Sequence, residues 1–296
     1  MSHDASMVVG VVGAGAMGSG IAQVAASAGH RVVLGDAVPG AVERARQGMR
    51  KALVRDVEKG RIEMPAVDAA VGRLTDAGDL DAGYEAFGDC GIVIEAVLED
   101  LGVKQALFGR LEKVVRRDCM LATNTSSLSV AAIGGGCSNS GRVVGVHFFN
   151  PAPAMPLVEI VPAITTDPDV LARANELVTS WKKTTVIASD TPGFIVNRIA
   201  RPFYGESLRQ LEEGVADVAT IDWAMRELGG FRMGPFELMD FIGNDVNYAV
   251  TRSVFEAFYY DPRYRPAITQ RRLVEAGLYG RKRERGYYDY RGASAR

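Results

Sequence analysis

The sequence is poor in residues that build disulfide or metal frameworks. Its 296 residues include three cysteines, Cys90, Cys119 and Cys137, and three histidines. An odd number of cysteines without a CxxC spacing argues against a disulfide framework or a zinc site, and favours reduced, unpaired thiols. We therefore expect a cytoplasmic protein without a metal centre.

Long apolar segments and an excess of charge of either sign are also missing. No apolar run approaches the roughly 18 residues that a membrane-spanning helix needs. The first strand-like run begins by Val8, and we expect no export signal before it. The 34 basic and 36 acidic residues give a formal net charge of -2, which offers no electrostatic reason to expect nucleic acid as a partner. We expect neither a membrane nor a nucleic acid among the partners.

The first two-thirds of the sequence is rich in alternating strand and helix signals. With 47% hydrophobic and 24% charged residues, the chain has the composition of a globular protein of about two domains. The predicted strands are Val8–Val12, Arg31–Leu34, Ile92–Glu95, Met120–Thr123, Val143–His147, Leu157–Val161 and Thr184–Ala188. Predicted helices cover residues 16–28, 38–59, 103–117 and 167–181. Apolar strands without polar alternation predict a parallel sheet flanked by helices.

The pattern changes after the segment SDTPGF at 189–194. Strand signals nearly vanish, and the helices predicted beyond this point cover residues 195–213, 220–228, 236–246 and 247–258. The fold class is therefore α/β, with a doubly wound parallel sheet over residues 1–189 and an all-α domain over residues 190–296. The basic run YGRKRERGYYDY near the end is interpreted as a solvated segment.

A glycine-rich turn follows the first strand. Gly13, Gly15 and Gly18 fit the pattern GxGxxG, in which the glycines allow a tight turn, close approach of a pyrophosphate and close helix packing. The helix N-terminus then presents free N–H groups to phosphate. A purely structural turn is the alternative for the glycines alone. Asp36, at the end of the second strand, adds a carboxylate that can accept a ribose hydroxyl and would repel a 2′-phosphate. The pattern predicts NAD rather than NADP as cofactor, the alternative being that Asp36 is an ordinary acid at a strand end.

His147 and Glu159 form the second constellation. A lone histidine in an apolar segment is commonly a core residue. His147, however, ends a strand at the edge of the sheet where ligands bind, and Glu159 lies in an apolar run where an unpaired carboxylate would be costly. A His–Glu pair satisfies that carboxylate and makes the imidazole a general base. With NAD nearby, the pair predicts oxidation of a secondary alcohol, in which base removes the proton while hydride leaves carbon.

Several ordered motifs carry a family resemblance. They are GAGAMGSGIAQVAA (13–26), IEAVLEDLGVKQALF (94–108), NTSSLSV (124–130), GVHFFNPAPAMPLVEIV (145–161), DTPGFIVNRI (190–199) and GPFELMDFIG (234–243). Over nearly its whole length the chain resembles the short-form L-3-hydroxyacyl-CoA dehydrogenases, including bacterial 3-hydroxybutyryl-CoA dehydrogenases. The resemblance implies a Rossmann-type NAD-binding domain, followed by a helical domain that closes the substrate cleft and forms a homodimer.

The resemblance also implies roles for individual residues. His147 is the catalytic base and Glu159 its acidic partner. Ser126 contacts the substrate oxygen at C3, and Asn197 helps to orient the substrate. The cofactor-binding residues that it implies, together with those of the glycine pattern, are Gly13, Gly15, Ala16, Met17, Gly18, Asp36, Glu99, Lys104, Asn124 and Asn150.

Each assignment has a plainer alternative. Ser126 and Ser127 could cap a helix through SLSVAAI. Asn197 could be a satisfied polar residue at a domain interface. Glu99 and Lys104 could be surface charges at the start of a helix.

The CoA end of the substrate has a weaker signal. Arg55 and Lys59 lie four residues apart on one predicted helix face and resemble the basic residues that the family places near the CoA phosphates. Asp56 and Glu58 interrupt this basic run. A solvated surface helix is the alternative.

The predicted function is reversible, NAD-dependent oxidation of (S)-3-hydroxyacyl-CoA to 3-oxoacyl-CoA. Two alternatives remain at this stage: a dehydrogenase of a non-CoA hydroxy or sugar acid, as in the related L-gulonate dehydrogenases, and a non-catalytic relative resembling lambda-crystallin. The presence of His147, Glu159, Ser126 and Asn197 together favours a catalyst.

Overall fold

The apolar runs of the first 191 residues form a single sheet. The computed structural model describes residues 6–292. Within them, the strands are β1 (Val8–Val12), β2 (Val32–Gly35), β3 (Leu74–Asp76), β4 (Cys90–Glu95), β5 (Met120–Thr123), β6 (Val143–Phe148), β7 (Leu157–Pro162) and β8 (Thr184–Ile187). Their order across the sheet is β3-β2-β1-β4-β5-β6-β7-β8. The chain changes direction across the sheet between β1 and β4, which is the switch point where ligands of such sheets bind.

The last two strands add one antiparallel pair to the predicted parallel sheet. β7 pairs antiparallel with β6 and parallel with β8, while the pairs from β3 to β6 are parallel. Only residues 149–156 separate β6 from β7, fewer than the dozen or so that a parallel crossover needs. The doubly wound α/β class is confirmed, and the direction of β7 and β8 follows from this short connection.

Helices cover the sheet. They are α1 (Ala16–Ser27), α2 (Ala41–Glu58), α3 (Met64–Gly72), α4 (Leu101–Val114), α5 (Val130–Gly134) and α6 (Pro168–Ser180). The centre of the core is formed by fully buried strand side chains such as Val9, Ile92 and Met120. Sequence reasoning missed α3 and β3, although proline in the first turn of α3 is a common helix start.

The chain divides into two compact units between Thr191 and Pro192. We call them the sheet unit, up to Thr191, and the helical unit, from Pro192. The helical unit contains α7 (Val196–Glu212), α8 (Val218–Glu227), α9 (Pro235–Ile242), α10 (Asn244–Ala257) and α11 (Ile268–Glu275). Its core includes Tyr204, Leu208 and Phe236. Among the helices of residues 6–292, none is long and apolar enough to cross a membrane.

Gly243 divides a predicted helix. The sequence predicts a continuous helix over residues 236–246, but α9 ends at Ile242 and α10 begins at Asn244. Gly243 has a φ of 102°, a conformation that glycine adopts readily and other residues rarely do. The glycine therefore turns the chain between the two helices.

The basic segment near the C-terminus corrects a second expectation. Asp240, fully buried in α9, accepts hydrogen bonds from the N–H groups of Tyr287 and Tyr288, each at 3.0 Å. The Tyr290 hydroxyl donates to the same carboxylate at 3.1 Å. The prediction of a solvated segment is wrong for these tyrosines because their hydroxyl and backbone donors satisfy a buried acid.

Candidate active site

A buried imidazole–carboxylate pair lies where β6 and β7 run side by side. His147 and Glu159 are direct partners in the antiparallel register, so their side chains lie on the same face of the sheet. His147 Nδ1 lies 2.7 Å from Glu159 Oε2, and the two side chains are 6% and 0% exposed. When Nδ1–H donates to this carboxylate, Nε2 is the nitrogen that can accept a proton. The arrangement is that of an oriented base.

The residues that flank His147 hold the end of β6. The Phe148 N–H donates to Asn124 Oδ1 at 2.8 Å, which ties β6 to the chain just after β5. The ring centroid of Phe149 lies 4.5 Å from that of His147, and Asn150 follows at an exposed position. Asn124, predicted as a cofactor residue, therefore uses its side-chain carbonyl to fix the backbone beside the imidazole.

The glycine-rich turn fits a bound dinucleotide. A Cβ on Gly13, whose φ is 103°, would lie 2.4 Å from the Ala96 carbonyl oxygen, and one on Gly18 would lie 1.7 Å from the Gly13 oxygen. A Cβ on Gly15 would meet no atom within 4 Å, so the space in front of this glycine is open to a phosphate. Gly13 and Gly18 are thus required by packing, and Gly15 leaves room for a ligand.

The helix after the turn completes this part of the site. α1 begins at Ala16, which is exposed, and Met17 packs partly against the core. The first N–H groups of a helix lack partners within the helix and favour anions. Both residues therefore lie where a pyrophosphate would meet the helix N-terminus.

Asp36 is one of the residues that line an apolar cleft. Its carboxylate accepts from the Ala14 N–H at 2.6 Å and the Val38 N–H at 2.8 Å. The cleft has a volume of about 710 Å³, and its lining includes Gly13, Gly15, Asp36, Val38, Leu80 and Tyr84. Apolar walls with one acid at the edge suit an adenosine, because a carboxylate has lone pairs left for ribose hydroxyls.

Glu99 organises the loop that carries Ser126. Its Oε1 accepts from the Thr125 hydroxyl at 2.6 Å, the Ser126 N–H at 2.9 Å and the Ser127 N–H at 3.2 Å. Burial alone raises the pKa of Glu99, but the Lys104 ammonium and the hydrogen bonds from Thr125 and Ser126 outweigh it and hold the pKa below its ordinary value. Glu99 is therefore an ionised anchor for this loop.

Lys104 is a buried cation between two acids. It is 1% exposed, and its Nζ lies 2.5 Å from Glu95 Oε1 and 3.3 Å from Glu99 Oε2. Glu95, fully buried at the end of β4, also accepts from the Thr123 hydroxyl at 2.7 Å. The reading of Lys104 as a surface charge is wrong, because the side chain connects β4, β5 and the Ser126 loop through this network.

Ser126 and Ser127 do not cap the following helix. α5 begins at Val130, and its N-cap is Ser129, whose hydroxyl accepts from Ala132 N–H at 3.2 Å. Asp190 accepts from Val130 N–H at 2.9 Å. The helix thus has other caps, and Ser126, half-buried, is held through its N–H by Glu99.

The remaining predicted residues belong to other elements of the fold. Arg55 and Lys59 are exposed at the end of α2, and Asp56 beside them pairs with Arg61 at 3.0 Å. Asn197 is half-buried in the first turn of α7, in the helical unit. The sheet unit therefore brings together His147, Glu159 and the loop residues, and Asn197 belongs to the other unit.

Sequence reasoning missed Glu95, Thr123, Thr125 and Asp190. Glu95 carried a usable signal, since it ends the apolar run CGIVIE and a buried carboxylate needs a partner. Asp190 carried no usable signal in the sequence, because its hydrogen-bond partners lie about 60 residues away along the chain.

The cysteines lie outside this chemistry. Cys90, Cys119 and Cys137 are free thiols. Burial raises the pKa of Cys90 and of Cys119 to about 12 and that of Cys137 to about 11, so all three are protonated and weakly nucleophilic at neutral pH. In the described part of the chain, no group of three or more His, Cys, Asp or Glu side chains could hold a metal ion.

Two family models match consecutive parts of the chain. Residues 8–191 match the 3-hydroxyacyl-CoA dehydrogenase NAD binding domain, and residues 193–290 match the 3-hydroxyacyl-CoA dehydrogenase C-terminal domain. The junction between the two matches coincides with the division between the sheet unit and the helical unit.

Individual relatives agree with the family models. The chain is 46% identical over 283 residues to a 3-hydroxyadipyl-CoA dehydrogenase of Escherichia coli, covering 96% of this chain and 59% of that protein. It is 40% identical to a 3-hydroxybutyryl-CoA dehydrogenase of Bradyrhizobium diazoefficiens, covering 96% of each. The crystal structure of a 3-hydroxybutyryl-CoA dehydrogenase from Escherichia coli superposes with a TM-score of 0.93 at 45% identity, covering 98% of this chain and 61% of that one. The chain thus spans about three-fifths of the length of the two Escherichia coli relatives and nearly all of the third. It belongs to the 3-hydroxyacyl-CoA dehydrogenase family.

Proposed function

We propose that the protein catalyses the reversible, NAD-dependent oxidation of (S)-3-hydroxyacyl-CoA to 3-oxoacyl-CoA. The observation that carries the proposal is the buried pair of His147 and Glu159, with a 2.7 Å Nδ1–Oε2 contact, in a sheet whose glycine-rich turn fits a dinucleotide. NAD, when bound, accepts a hydride from the hydroxyl-bearing carbon. The protein itself then has to remove one proton and hold the thioester.

His147 is the base that removes this proton. Its Nε2 takes the hydroxyl proton, and the Glu159 carboxylate keeps the ring oriented and stabilises the imidazolium that forms. In the reduction direction the imidazolium returns the proton to the carbonyl oxygen. A general base of this type contributes roughly 10²- to 10⁴-fold in rate.

Ser126 and Asn197 hold the substrate. The Ser126 hydroxyl contacts the oxygen at C3, and the Glu99 carboxylate fixes the loop from which this hydroxyl projects. The Asn197 side-chain amide orients the thioester. Positioning of this kind raises the reaction rate, because it brings the reacting groups together before the chemical step.

The cofactor lies along the glycine-rich turn and the cleft beside Asp36. Gly13, Gly15 and Gly18 receive the pyrophosphate together with Ala16 and Met17 of α1, and Asp36 accepts the ribose hydroxyls. Glu99, Asn124 and Asn150 line the path towards the nicotinamide, and the buried Lys104 contributes by holding Glu99. Because Asp36 repels a 2′-phosphate, we expect turnover with NAD to exceed turnover with NADP, and a preference for NADP in steady-state assays would contradict the role given to Asp36.

The CoA phosphates meet the exposed Arg55 of α2 and Lys59, the residue that follows this helix. Asp56 pairs with Arg61, so it offsets the basic pair less than its position in the sequence suggests. The family relatives carry two kinds of acyl group in their names, the monocarboxylic 3-hydroxybutyryl and the dicarboxylic 3-hydroxyadipyl. Both are candidate substrates.

The helical unit forms a homodimer in this proposal. Large apolar side chains on its helices are exposed, among them Trp223, Leu228 and Phe241 at 52%, 78% and 52%. Exposed aromatic and aliphatic side chains of this size are typical of subunit interfaces. The unpaired thiols suit a cytoplasmic location.

Appearance of NADH, followed by its absorbance, tests the proposal directly. The expected result is turnover of 3-hydroxybutyryl-CoA with NAD at a kcat/KM far above that for free 3-hydroxybutyrate or L-gulonate. A higher kcat/KM with the free acids would show that the substrate is a free hydroxy acid and not a CoA thioester. No turnover with any 3-hydroxyacyl thioester would refute catalysis and favour a binding protein.

A further inference from the structure

The segment that joins β6 to β7 is rich in proline. It covers residues 149–156 and ends in the sequence PAPAMP, with prolines at positions 151, 153 and 156. Proline has no backbone N–H, so the segment has few donors of its own, whereas each of its residues keeps a carbonyl that needs a partner when buried. We call residues 149–156 the connecting segment. Its carbonyls depend on donors from elsewhere in the protein.

Lys183 supplies three of these donors. Its Nζ lies 2.6 Å from the carbonyl oxygen of Ala152, 2.9 Å from that of Met155 and 3.3 Å from that of Pro153. An ammonium group has three N–H donors, so the connecting segment takes all of them. Lys183 is 9% exposed, and burial lowers its pKa. The three carbonyls offset the desolvation of the charge that this shift reflects.

The sheet holds Lys183 in place on the other side. Lys183 directly precedes β8, in which Thr184 pairs with Leu157 of β7. The Thr184 N–H also donates to the Pro156 carbonyl at 2.8 Å. The ammonium therefore ties the connecting segment to a strand of the sheet, whose backbone is fixed by its own hydrogen bonds.

The connecting segment packs closely against α1. Ala152 is 1% exposed. A Cβ placed on Gly20 of α1 would lie 3.1 Å from Pro153 Cδ and 3.2 Å from Ala152 Cβ, so the helix and the segment meet with little space between them. Beside this contact lies a recess of about 420 Å³, whose lining includes Ala14, Gly15, Ala16, Gly20, Pro151 and Pro153. The position of the connecting segment thus shapes the space beside the glycine-rich turn.

The connecting segment also begins next to the candidate base. The ring centroid of Phe149, its first residue, lies 4.5 Å from that of His147. Asn150 follows, two residues before the first carbonyl that Lys183 holds. A shift of the carbonyls at Ala152 and Met155 therefore displaces Asn150 as well.

We propose that Lys183 is a positioning residue that holds the connecting segment, and with it Asn150, in place for the nicotinamide end of the cofactor. The proposal rests on the function proposed above, because it assumes that Asn150 lies on the path towards the nicotinamide. Lys183 touches neither substrate nor cofactor in this role. The cleft beside Asp36 has other residues in its lining, so the effect of Lys183 is directed to one end of the cofactor.

Two ligands separate this role from a general effect on the fold. NADH carries the nicotinamide, whereas ADP-ribose lacks it and keeps the adenosine and the pyrophosphate. Lys183→Met keeps the length of the side chain and removes its donors. We expect this variant to raise the Kd for NADH by about 10- to 100-fold, the value of one charged hydrogen-bonded contact, and the Kd for ADP-ribose by less than about 3-fold. Calorimetric titration measures both constants.

The neighbouring lysine provides the matched control. Lys182 is exposed, and Lys182→Met should leave both Kd values unchanged. Equal losses for NADH and ADP-ribose in Lys183→Met would assign Lys183 a general structural role and overturn the proposal. Unchanged affinity for both ligands would overturn it as well.

Chemical rescue tests whether the ammonium group itself is responsible. Lys183→Ala removes the atoms of one propylammonium ion, and we expect kcat for 3-hydroxybutyryl-CoA oxidation to fall by about 10- to 100-fold. Added propylammonium chloride should raise kcat of this variant about 5-fold or more, because the ion can donate to the same carbonyls. Sodium chloride at the same ionic strength should not. A kcat within about 3-fold of that of the unaltered protein, or equal recovery with sodium chloride, would contradict the proposal.

Hydrogen exchange on the unaltered protein decides the question if these variants do not fold. The N–H groups of Ala154 and Met155 donate to the Pro151 carbonyl, each at 3.0 Å. Because Lys183 holds the connecting segment before any ligand binds, both should exchange slowly without NADH, and NADH should slow them by less than about 3-fold. Fast exchange that becomes slow only with NADH would show that the cofactor orders the segment, and Lys183 would lose its role.

Failure of the proposed function has a different signature. An unaltered protein that oxidises no 3-hydroxyacyl thioester would refute the function, and with it this proposal. An active protein whose Lys183 variants behave like Lys182→Met would refute the role of Lys183 alone.

Discussion

The sheet unit and the helical unit neutralise their buried charges in different ways. In the sheet unit, Lys104 pairs with Glu95 at 2.5 Å and His147 with Glu159 at 2.7 Å. In the helical unit, Asp240 is fully buried among uncharged donors, which are backbone N–H groups, an amide and a tyrosine hydroxyl. In these examples, ion pairs neutralise the buried charges of the sheet unit, and neutral dipoles hold the buried carboxylate of the helical unit.

The difference has a functional meaning. A carboxylate next to an imidazole stabilises the charge that appears when the ring takes a proton. A charge held by neutral dipoles stays uncompensated by an opposite charge, and it can fix a segment, as Asp240 does. Lys183 is the exception in the sheet unit: its Nζ donates to the Ala152 carbonyl at 2.6 Å, and burial lowers its pKa.

Removing the base should have the largest effect. We expect His147→Ala to lower kcat for 3-hydroxyacyl-CoA oxidation by about 10³-fold or more, since the general base is lost. NAD binding, measured by quenching of protein fluorescence, should change little because the glycine-rich turn and Asp36 are untouched. Activity close to that of the unaltered protein would remove His147 from its proposed role.

Breaking the buried pair at Lys104 should be the largest effect on folding. Lys104→Met leaves Glu95 as an unpaired buried carboxylate, and we expect the free energy of unfolding to fall by about 3 to 5 kcal/mol. Denaturant titration measures this change in the free energy of unfolding. The double variant Glu95→Leu with Lys104→Met should be less destabilised than Lys104→Met alone, because no charge then remains buried; a larger loss in the double variant would contradict this explanation.

Replacing Glu159 by an uncharged amide tests whether its carboxylate acts through His147. Glu159→Gln should lower kcat by about 10²-fold, because the amide no longer stabilises the imidazolium. In the background of His147→Ala, the same substitution should have almost no further effect on kcat. Additive losses would show that Glu159 acts independently of the imidazole.

A matched substitution in the helical unit completes the comparison. Asp240→Asn places an amide donor among the donors from Tyr287, Tyr288 and Asn244, and we expect the free energy of unfolding to fall by about 1 to 3 kcal/mol. Hydrogen exchange should increase at residues 284–290. An unchanged exchange rate there would mean that the segment does not depend on this carboxylate.

The smallest expected effect concerns pH. The pKa of folded Glu99 lies below its ordinary value, so its contribution to stability is present above the unfolded pKa and is lost as pH falls through the folded pKa. The side chain is 38% exposed, and solvent screening should keep the contribution below about 1 kcal/mol. Glu99→Gln should therefore be less stable than the unaltered protein at pH 7, and the difference should shrink below pH 4. A difference that persists in acid would rule out ionisation as its cause.

Much of the fold follows from local pattern. The strands β1 and β5 begin and end where the apolar runs predict, and α1, α2, α4, α6, α7, α8 and α10 lie within a few residues of their predicted ranges, because hydrophobic periodicity and glycine or proline breaks are local properties. α3, β3 and α11 are short, and the sequence pattern does not predict them. The direction of β7 was open to prediction from the short connection after β6.

Some residues of the candidate site can likewise be predicted from the sequence, and others cannot. The sequence predicts that His147 and Glu159 share a function, because one ends a strand at the ligand-binding edge and the other is costly to bury alone. The network of Glu95, Lys104 and Glu99 joins residues from β4, α4 and the loop after β5, and such pairings depend on strand order. Lys183 looks like any lysine before a strand in the sequence, and its burial is visible only in the folded unit.

The sequence by itself determined the α/β class, the glycine-rich turn with Asp36, and the histidine and glutamate of the candidate catalytic pair, since each depends on residue type and spacing along one segment. Only the tertiary structure decided which buried charges meet an opposite charge and which meet neutral dipoles. The physical reason is that the electrostatic environment of a side chain is set by groups that are distant in sequence and adjacent in space, and the chain order does not contain those distances.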